Sequence, residues 1–313
     1  LSELAYALES AKNFKGFTRK ACIGEIAETM GGGDFDDAGI MELAELNGLK
    51  IVMSTDGIAE ELVKSDPWFA GYYSVLVNVN DVVIKGARPI GYVNIISSPN
   101  RETRLKIAQG IKAGLDKYDI KLLKGHTHPD SSYEAVDAAV VGLAKKVVRG
   151  TTAAPGSPIV MAIDLDGSFG IKGWVKCYDS TLKKTKDDVK KILSLMISVI
   201  ESGYVGASKD MSAPGVLGTL AMLCEASSVG ADIDLAKIPR PKGFELAEWL
   251  ISYPAMGFIF SLNSEKALPL LREAGLTAEI VGVFTKEKTI KARLGNESAI
   301  FMDLEKESVF GLR

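Results

Sequence analysis

Ser54-Thr55-Asp56-Gly57 ends the apolar run Leu49-Lys50-Ile51-Val52-Met53. About two dozen residues later, Val77-Asn78-Val79-Asn80-Asp81-Val82-Val83-Ile84-Lys85-Gly86-Ala87-Arg88-Pro89 carries a second acidic step. The first reads as a strand leading into an acidic loop. The second sits in a helix over Trp68 to Lys85, where Ala70, Tyr73, Ser74, Val77, Asn78, Asp81, Val82 and Lys85 recur at three-to-four spacing. A third acidic loop precedes both, Gly31-Gly32-Gly33-Asp34-Phe35-Asp36-Asp37-Ala38, and a polar loop follows, Gly125-His126-Thr127-His128-Pro129-Asp130. Magnesium takes oxygen ligands and dehydrates reluctantly, so its sites use one or two carboxylates and leave the rest to water and phosphate. Aspartates spread over several loops suit a nucleotide–metal site assembled from separate strands. Ordinary Asp/Gly turns between strands are the alternative reading of any one loop.

Outward from that stretch, helix and strand alternate. Ile23 to Met30 predicts a short helix stopped by the triple glycine. Asp37 to Glu45 and Leu49 to Ser54 predict strands, as do Tyr92 to Ser97, Lys121 to Lys124 (entering the histidine loop) and Glu134 to Ala144. Glu102 to Tyr118 predicts an amphipathic helix. Arg149 to Pro158 has a linker's composition. Beyond it, strands are predicted at Ile159 to Leu165, Met256 to Leu262, Thr277 to Phe284 and Ser298 to Met302. Helices are predicted at Leu182 to Glu201, Gly215 to Ser227 and Glu245 to Ile251. The expectation is two α/β domains, residues 1–150 and 151–313, in keeping with a length of 313 residues.

Composition narrows the function classes. A net charge of −3 argues against a nucleic-acid partner, which draws on concentrated Lys and Arg. The apolar runs fall short of the ~20 residues that span a bilayer, and no signal-peptide pattern opens the chain. A cytoplasmic location is therefore expected. Cys22, Cys177 and Cys224 are too scattered for a disulfide framework or a zinc site.

The motifs leave one main chemistry. No G-x-x-x-x-G-K-[ST] occurs, no G-x-G-x-x-G lies between strand and helix, and no G-x-S-x-G elbow is present. Gly167-Ser168-Phe169-Gly170 follows a strand and reads either as an anion-approaching loop or as a plain turn. His126 and His128 offer two ligands where a stable zinc site needs about four, so no transition metal is expected there. What remains is rich in carboxylates and suits magnesium-assisted phosphoryl transfer, which needs positioning and charge neutralisation more than a covalent nucleophile. In this reading Asp37, Asp56 and Asp81 hold metal ions that bridge the ATP phosphates. Lys85, one turn after Asp81, reads either as a partner for a phosphate oxygen or as a solvated helix position.

These residues also carry a family resemblance. Ser54-Thr55-Asp56-Gly57 with the Val77 to Pro89 stretch resembles the aminoimidazole-ribonucleotide (AIR) synthase superfamily. That group includes AIR synthase, selenophosphate synthetase, thiamine-monophosphate kinase and the hydrogenase maturation factor that dehydrates carbamoyl groups. Gly33 to Ala38 resembles the superfamily's Gly-Asp-Asp-Ala metal loop, and Leu123-Lys124-Gly125-His126-Thr127 resembles its Gly-Gly-[His/Asp/Glu]-Thr loop. The second half is similar more loosely, through Lys209-Asp210-Met211-Ser212, Gly215, Gly218, Cys224-Glu225-Ala226-Ser227 and Ile233-Asp234-Leu235. Overall the chain most resembles the AIR-synthase-related branch called methanogenesis marker protein 2.

The resemblance implies an α/β (α+β) fold in which an N-terminal mixed sheet pairs with a second copy into a dimeric barrel, followed by a C-terminal α/β sandwich. It implies a homodimer that binds ATP and Mg²⁺ near the interface and activates a small-molecule substrate by phosphorylation. The implied metal ligands are Asp36, Asp37, Asp56 and Asp81. The implied nucleotide-site residues are Thr55, Asp56, Asn80, Asp81, Gly125, His126 and Thr127, and the implied catalytic set is Asp56, Lys85 and Asp210. Three departures stand out: Cys22 is not in the selenophosphate synthetase arrangement, the chain lacks the maturation factor's terminal cysteine, and Ala213 stands where thiamine-monophosphate kinase usually has an aspartate. A nucleotide-binding regulatory or assembly protein without turnover is the alternative function.

Overall fold

The computed structural model describes residues 2–33, 35–170, 173 and 175–312; Asp34 of the first acidic loop lies outside them. The first half runs α1 (Glu3–Lys12), α2 (Lys15–Thr18), α3 (Ile23–Thr29), β1 (Gly39–Glu42), β2 (Lys50–Gly57), α4 (Glu60–Ser65), α5 (Pro67–Ile84), β3 (Arg88–Ser97), α6 (Arg101–Tyr118), β4 (Leu122–His128) and β5 (Ala135–Ala144). The second continues β6 (Pro158–Ile163), β7 (Ser168–Phe169), β8 (Lys176–Asp179), α7 (Lys186–Glu201), β9 (Val205–Asp210), α8 (Gly215–Ala226), β10 (Gly230–Asp234), α9 (Leu246–Leu250), β11 (Ser252–Pro254), β12 (Gly257–Leu262), α10 (Ala267–Glu273), β13 (Thr277–Thr285), β14 (Thr289–Leu294) and β15 (Glu297–Asp303).

A five-stranded sheet, ordered β1-β2-β5-β3-β4, comes from the first half. A seven-stranded sheet, β15-β14-β10-β13-β6-β12-β9, comes from the second, with a small third sheet, β11-β8-β7. The first sheet is mixed because β3 and β4 run parallel. It is open within one chain, with β1 and β4 at its edges. Alternation fixes which face is covered. On β5, Val136, Ala138, Val140 and Ala144 are buried, on the side that packs against α5.

Helix α5 is the centre of the molecule, with contacts to α6, β2, β5, α7 and β9. Asp66 caps it by accepting from the Phe69 amide at 3.0 Å, with Pro67 at its first turn. Its approach to α6 depends on missing side chains. A Cβ on Gly71 would lie 2.1 Å from the Ile107 carbonyl oxygen, and one on Gly110 would lie 1.8 Å from that of Trp68. The helix ends at Gly86, whose φ of +93° suits glycine.

A division at residue 150 separates the strands of the two sheets but not their cores. Leu4, Ala7, Leu8 and Phe17 pack with α8, α9 and β15 residues, while α7 packs against α5 and α6. The polar histidine loop is also not a loop: Gly125 to Thr127 continue β4 as far as His128. Pairing with β3 extends that strand even though its whole length is exposed. Gly167 to Gly170 is not a plain turn: Ser168 and Phe169 form β7 and pair with β8.

Candidate functional site

The acidic residues meet at one end of the sheets. Asp56 sits at the end of β2 and Asp210 at the end of β9; Asp81 lies in the last turn of α5, and Asp36 and Asp37 lead into β1. Together they line a cavity of about 540 Å³. Asp37, Asp81 and Asp210 each present a carboxylate oxygen within 4.8 Å of the others. Asp56 lines the same cavity beside this group. Asp81 also accepts from Ser54 Oγ at 2.5 Å.

Two lysines organise one side of this group. Lys85 Nζ lies 2.6 Å from Asp36 and 3.0 Å from Asp37, and donates to the Ser208 carbonyl at 2.6 Å, with its side chain fully buried. Lys209 pairs with Asp37 from β9. Asp36 spends both oxygens on structure, since the Gly150 amide donates to Oδ2 at 2.8 Å and Lys85 and the Asp37 amide meet Oδ1. Its side chain holds the loop. Lys85 is likewise engaged within the protein. Its ammonium is neither solvated nor on the cavity wall; it is the counter-charge of the Asp36–Asp37 loop.

Burial and charge pull the carboxyls apart. Burial opposes ionisation of Asp37, but Lys209 and Lys85 outweigh it and hold that carboxyl below the usual range. Burial, reinforced by the facing Asp210, pushes Asp81 well above it; burial with Asp37 beside it does the same to Asp210. Asp56 is raised chiefly by its protein surroundings, although it opens onto the cavity. Fully ionised, the set would carry more negative charge than its lysines neutralise. Asn80 Oδ1 and Tyr253 Oη beside it are buried without a partner. Oxygen donors that repel one another when ionised fit a hard divalent cation such as Mg²⁺, which would neutralise them.

Of the remaining sequence-predicted residues, Thr55 lines the cavity and donates to the Ala138 carbonyl at 3.0 Å. Asn80 lies behind the wall, its amide donating to the Ala255 carbonyl at 2.7 Å. Gly125, His126 and Thr127 do not line the cavity of a single chain. They lie on the edge strand β4, where the rings of His126 and His128 stand 4.7 Å apart.

Sequence reasoning passed over Lys20. It lines the cavity, makes no hydrogen bond or ion pair among the described residues, and has its charge disfavoured by burial and only partly supported by Asp56. Its short turn is anchored from the far end of the chain. The Gly24 amide donates to the Phe310 carbonyl at 2.7 Å, and Glu225 accepts from the amides of Val309 at 2.7 Å and Phe310 at 3.1 Å. The Cys224-Glu225 motif held that signal, but its partner lies 84 residues away.

Comparison with known proteins identifies the family. Residues 35–144 match the family model "AIR synthase related protein, N-terminal domain", and residues 159–295 match the C-terminal domain. An uncharacterized protein of Methanocaldococcus jannaschii is 32% identical over 323 residues, covering 98% of this chain and 99% of the relative. Among solved structures, Thermotoga maritima PurL complexed with AMPPCP is similar with a TM-score of 0.76 and 16% identity, over 97% of this chain and 51% of that one. AaThiL complexed with AMPPCP and TMP is similar with a TM-score of 0.68 and 17% identity, over 87% of this chain and 93% of that one. The chain thus spans about half the length of the PurL chain. Matching both domain models across most of its length, the chain belongs to the AIR synthase related protein family.

Proposed function

We propose that this protein is an ATP- and Mg²⁺-dependent enzyme that phosphorylates, or activates through phosphate, a small-molecule substrate, working as a homodimer. The observation that carries this reading is the carboxylate group Asp37, Asp81 and Asp210, joined by Asp56, on the wall of one cavity. The complexes of PurL and AaThiL with AMPPCP support a nucleotide as its ligand. Asp56, Asp81 and Asp210 would hold the metal, while Asp37, held by its two lysines, would complete the group. When bound, the metal would neutralise charge on the phosphates. Lys20, the cation left unpaired on the wall, would meet a phosphate oxygen. Thr55 would present its hydroxyl beside Asp56.

Isothermal titration of ATP with and without Mg²⁺ tests the site. Affinity should depend on Mg²⁺ and fall about tenfold or more in Asp81→Asn, the effect of losing one charge-assisted contact of about 1.5–3 kcal/mol. Equal affinity in parent and variant removes Asp81 from the site. A second reading is binding without turnover, favoured by Ala213 on the cavity wall. Saturation by ATP with no phosphate released in the presence of candidate acceptors would select it.

A further inference from the structure

A second cavity, about 560 Å³, opens at the opposite end of β2 and β5. Its wall carries Lys50, Lys145, Lys146 and Arg149 and, among the described residues, no acidic side chain, in a chain whose net charge is −3. Lys50 pairs with Glu42 outside the wall, and Lys146 donates to the Glu201 carbonyl at 2.9 Å. Each ammonium has three protons, so both retain donors. Lys145 makes no hydrogen bond or ion pair among the described residues. Val148, Ile200 and Val205 contribute apolar wall. Lys145 and Lys146, neither paired with a carboxylate among the described residues, repel one another unless an anion joins them.

The same stretch of chain also shapes the carboxylate site. The Val148 amide donates to the Lys85 carbonyl at 3.2 Å, the Gly150 amide to Asp36 at 2.8 Å, and the Ser208 amide to the Arg149 carbonyl at 3.3 Å. Ser208 in turn accepts from Lys85 Nζ. Residues 146 to 150 therefore place side chains in the basic cavity and backbone against the Asp36–Asp37 loop.

We propose that this cavity binds the polyphosphate group of a small anion, and that its occupancy is transmitted through residues 146 to 150 to the Asp36–Asp37 loop. Multivalent phosphate is the ligand class because several ammonium groups on one wall match its oxygens. Binding itself does not rest on the proposed function; only the consequence for the carboxylate loop does.

Isothermal titration with sodium tripolyphosphate in EDTA isolates this cavity from any metal-dependent site. The parent should bind saturably, more weakly as salt rises. The Lys145→Gln/Lys146→Gln double variant should lose about tenfold or more in affinity, while Asp81→Asn binds like the parent. Pyrophosphate and ADP in parallel identify the source: tighter binding of ADP marks a nucleotide, equal binding the phosphate group alone. Hydrogen exchange at the amides of residues 36 and 37 should slow on saturation in the parent and stay unchanged in the double variant. Absence of saturable binding, or equal binding by the double variant, overturns the site. Binding without slowed exchange overturns its transmission. If the nucleotide reading failed instead, Asp81→Asn would leave Mg²⁺–ATP binding intact while tripolyphosphate bound as described.

Discussion

Lys85 and Lys209 are bound to the Asp36–Asp37 loop, whereas Lys20 lies on the cavity wall with no ion pair among the described residues, and that contrast predicts opposite phenotypes. Lys85→Met leaves Asp36 and Asp37 buried with one counter-charge removed. Breaking a buried pair in this way costs about 3–5 kcal/mol, and urea unfolding should show a loss near the lower end because Lys209 remains. A loss under about 1 kcal/mol, the scale of an exposed pair, would mean that the loop is held by other contacts. Lys20→Gln should leave unfolding unchanged and lower Mg²⁺–ATP affinity about tenfold, the effect of losing one charge-assisted hydrogen bond. Unchanged affinity would exclude Lys20 from the phosphates. The sequence displayed Asp56 and Asp81 because they fall near the ends of recognisable elements, and Asp36 and Asp37 through the glycine-rich loop before them, whereas Asp210 came through the family resemblance. The lysines were hard to rank: Lys85 sits at a helical spacing that fits solvent or phosphate equally, and Lys20 lies in a turn with no motif around it.

At the scale of elements, β2, β3 and β5 leave one face of the first sheet uncovered. Met53 stands opposite Val141, and Val93 opposite Ala139, with Ile95 two residues further on. Met53 is 48% exposed and Ile95 42%, both large and apolar. A contiguous apolar face of this kind marks an interaction surface, and pairing two copies would cover it. Light scattering should give a dimer at micromolar concentration, and Ile95→Glu should shift it to monomer with nucleotide affinity measured on either form. A parent that scatters as a monomer would defeat the pairing. These strands were legible because their alternation is clean. β9 was not, since Val-Gly-Ala-Ser-Lys-Asp buries polar groups against the rest of the molecule and shows no period-two pattern, and β10, Gly-Ala-Asp-Ile-Asp, alternates over only 5 residues. Helix α4 is short, and α10 carries Pro269 inside it, so neither offered a periodic run. The extension of β4 through His128 depends on β3 beside it, which no local signal expresses.

For the whole molecule, the carboxylate group ties stability to pH and to metal. Asp81 and Asp210, chiefly by burial, and Asp56, which opens onto the cavity, by the protein packed around it, are raised above their unfolded values. A raised group contributes stability that is present below about pH 4, the unfolded value, and is lost as pH climbs through the folded value. Asp37 has the opposite sign: its lowered carboxyl stabilises the fold above the unfolded value and loses that contribution as pH falls through the folded one. Metal-free protein is therefore penalised towards neutral pH by three carboxyls that resist ionising together. A divalent cation relieves that penalty but must displace the protons, so its binding strengthens as pH rises. Saturating Mg²⁺ should raise the melting temperature more at about pH 8.5 than at about pH 5.5, because the stabilisation follows free metal over its apparent Kd. Asp81→Asn should flatten the difference by removing one of the competing protons along with one ligand. Equal shifts at both pH values would show that Mg²⁺ acts elsewhere on the protein, and the raised carboxyls would then be a structural cost of bringing β2, α5 and β9 together.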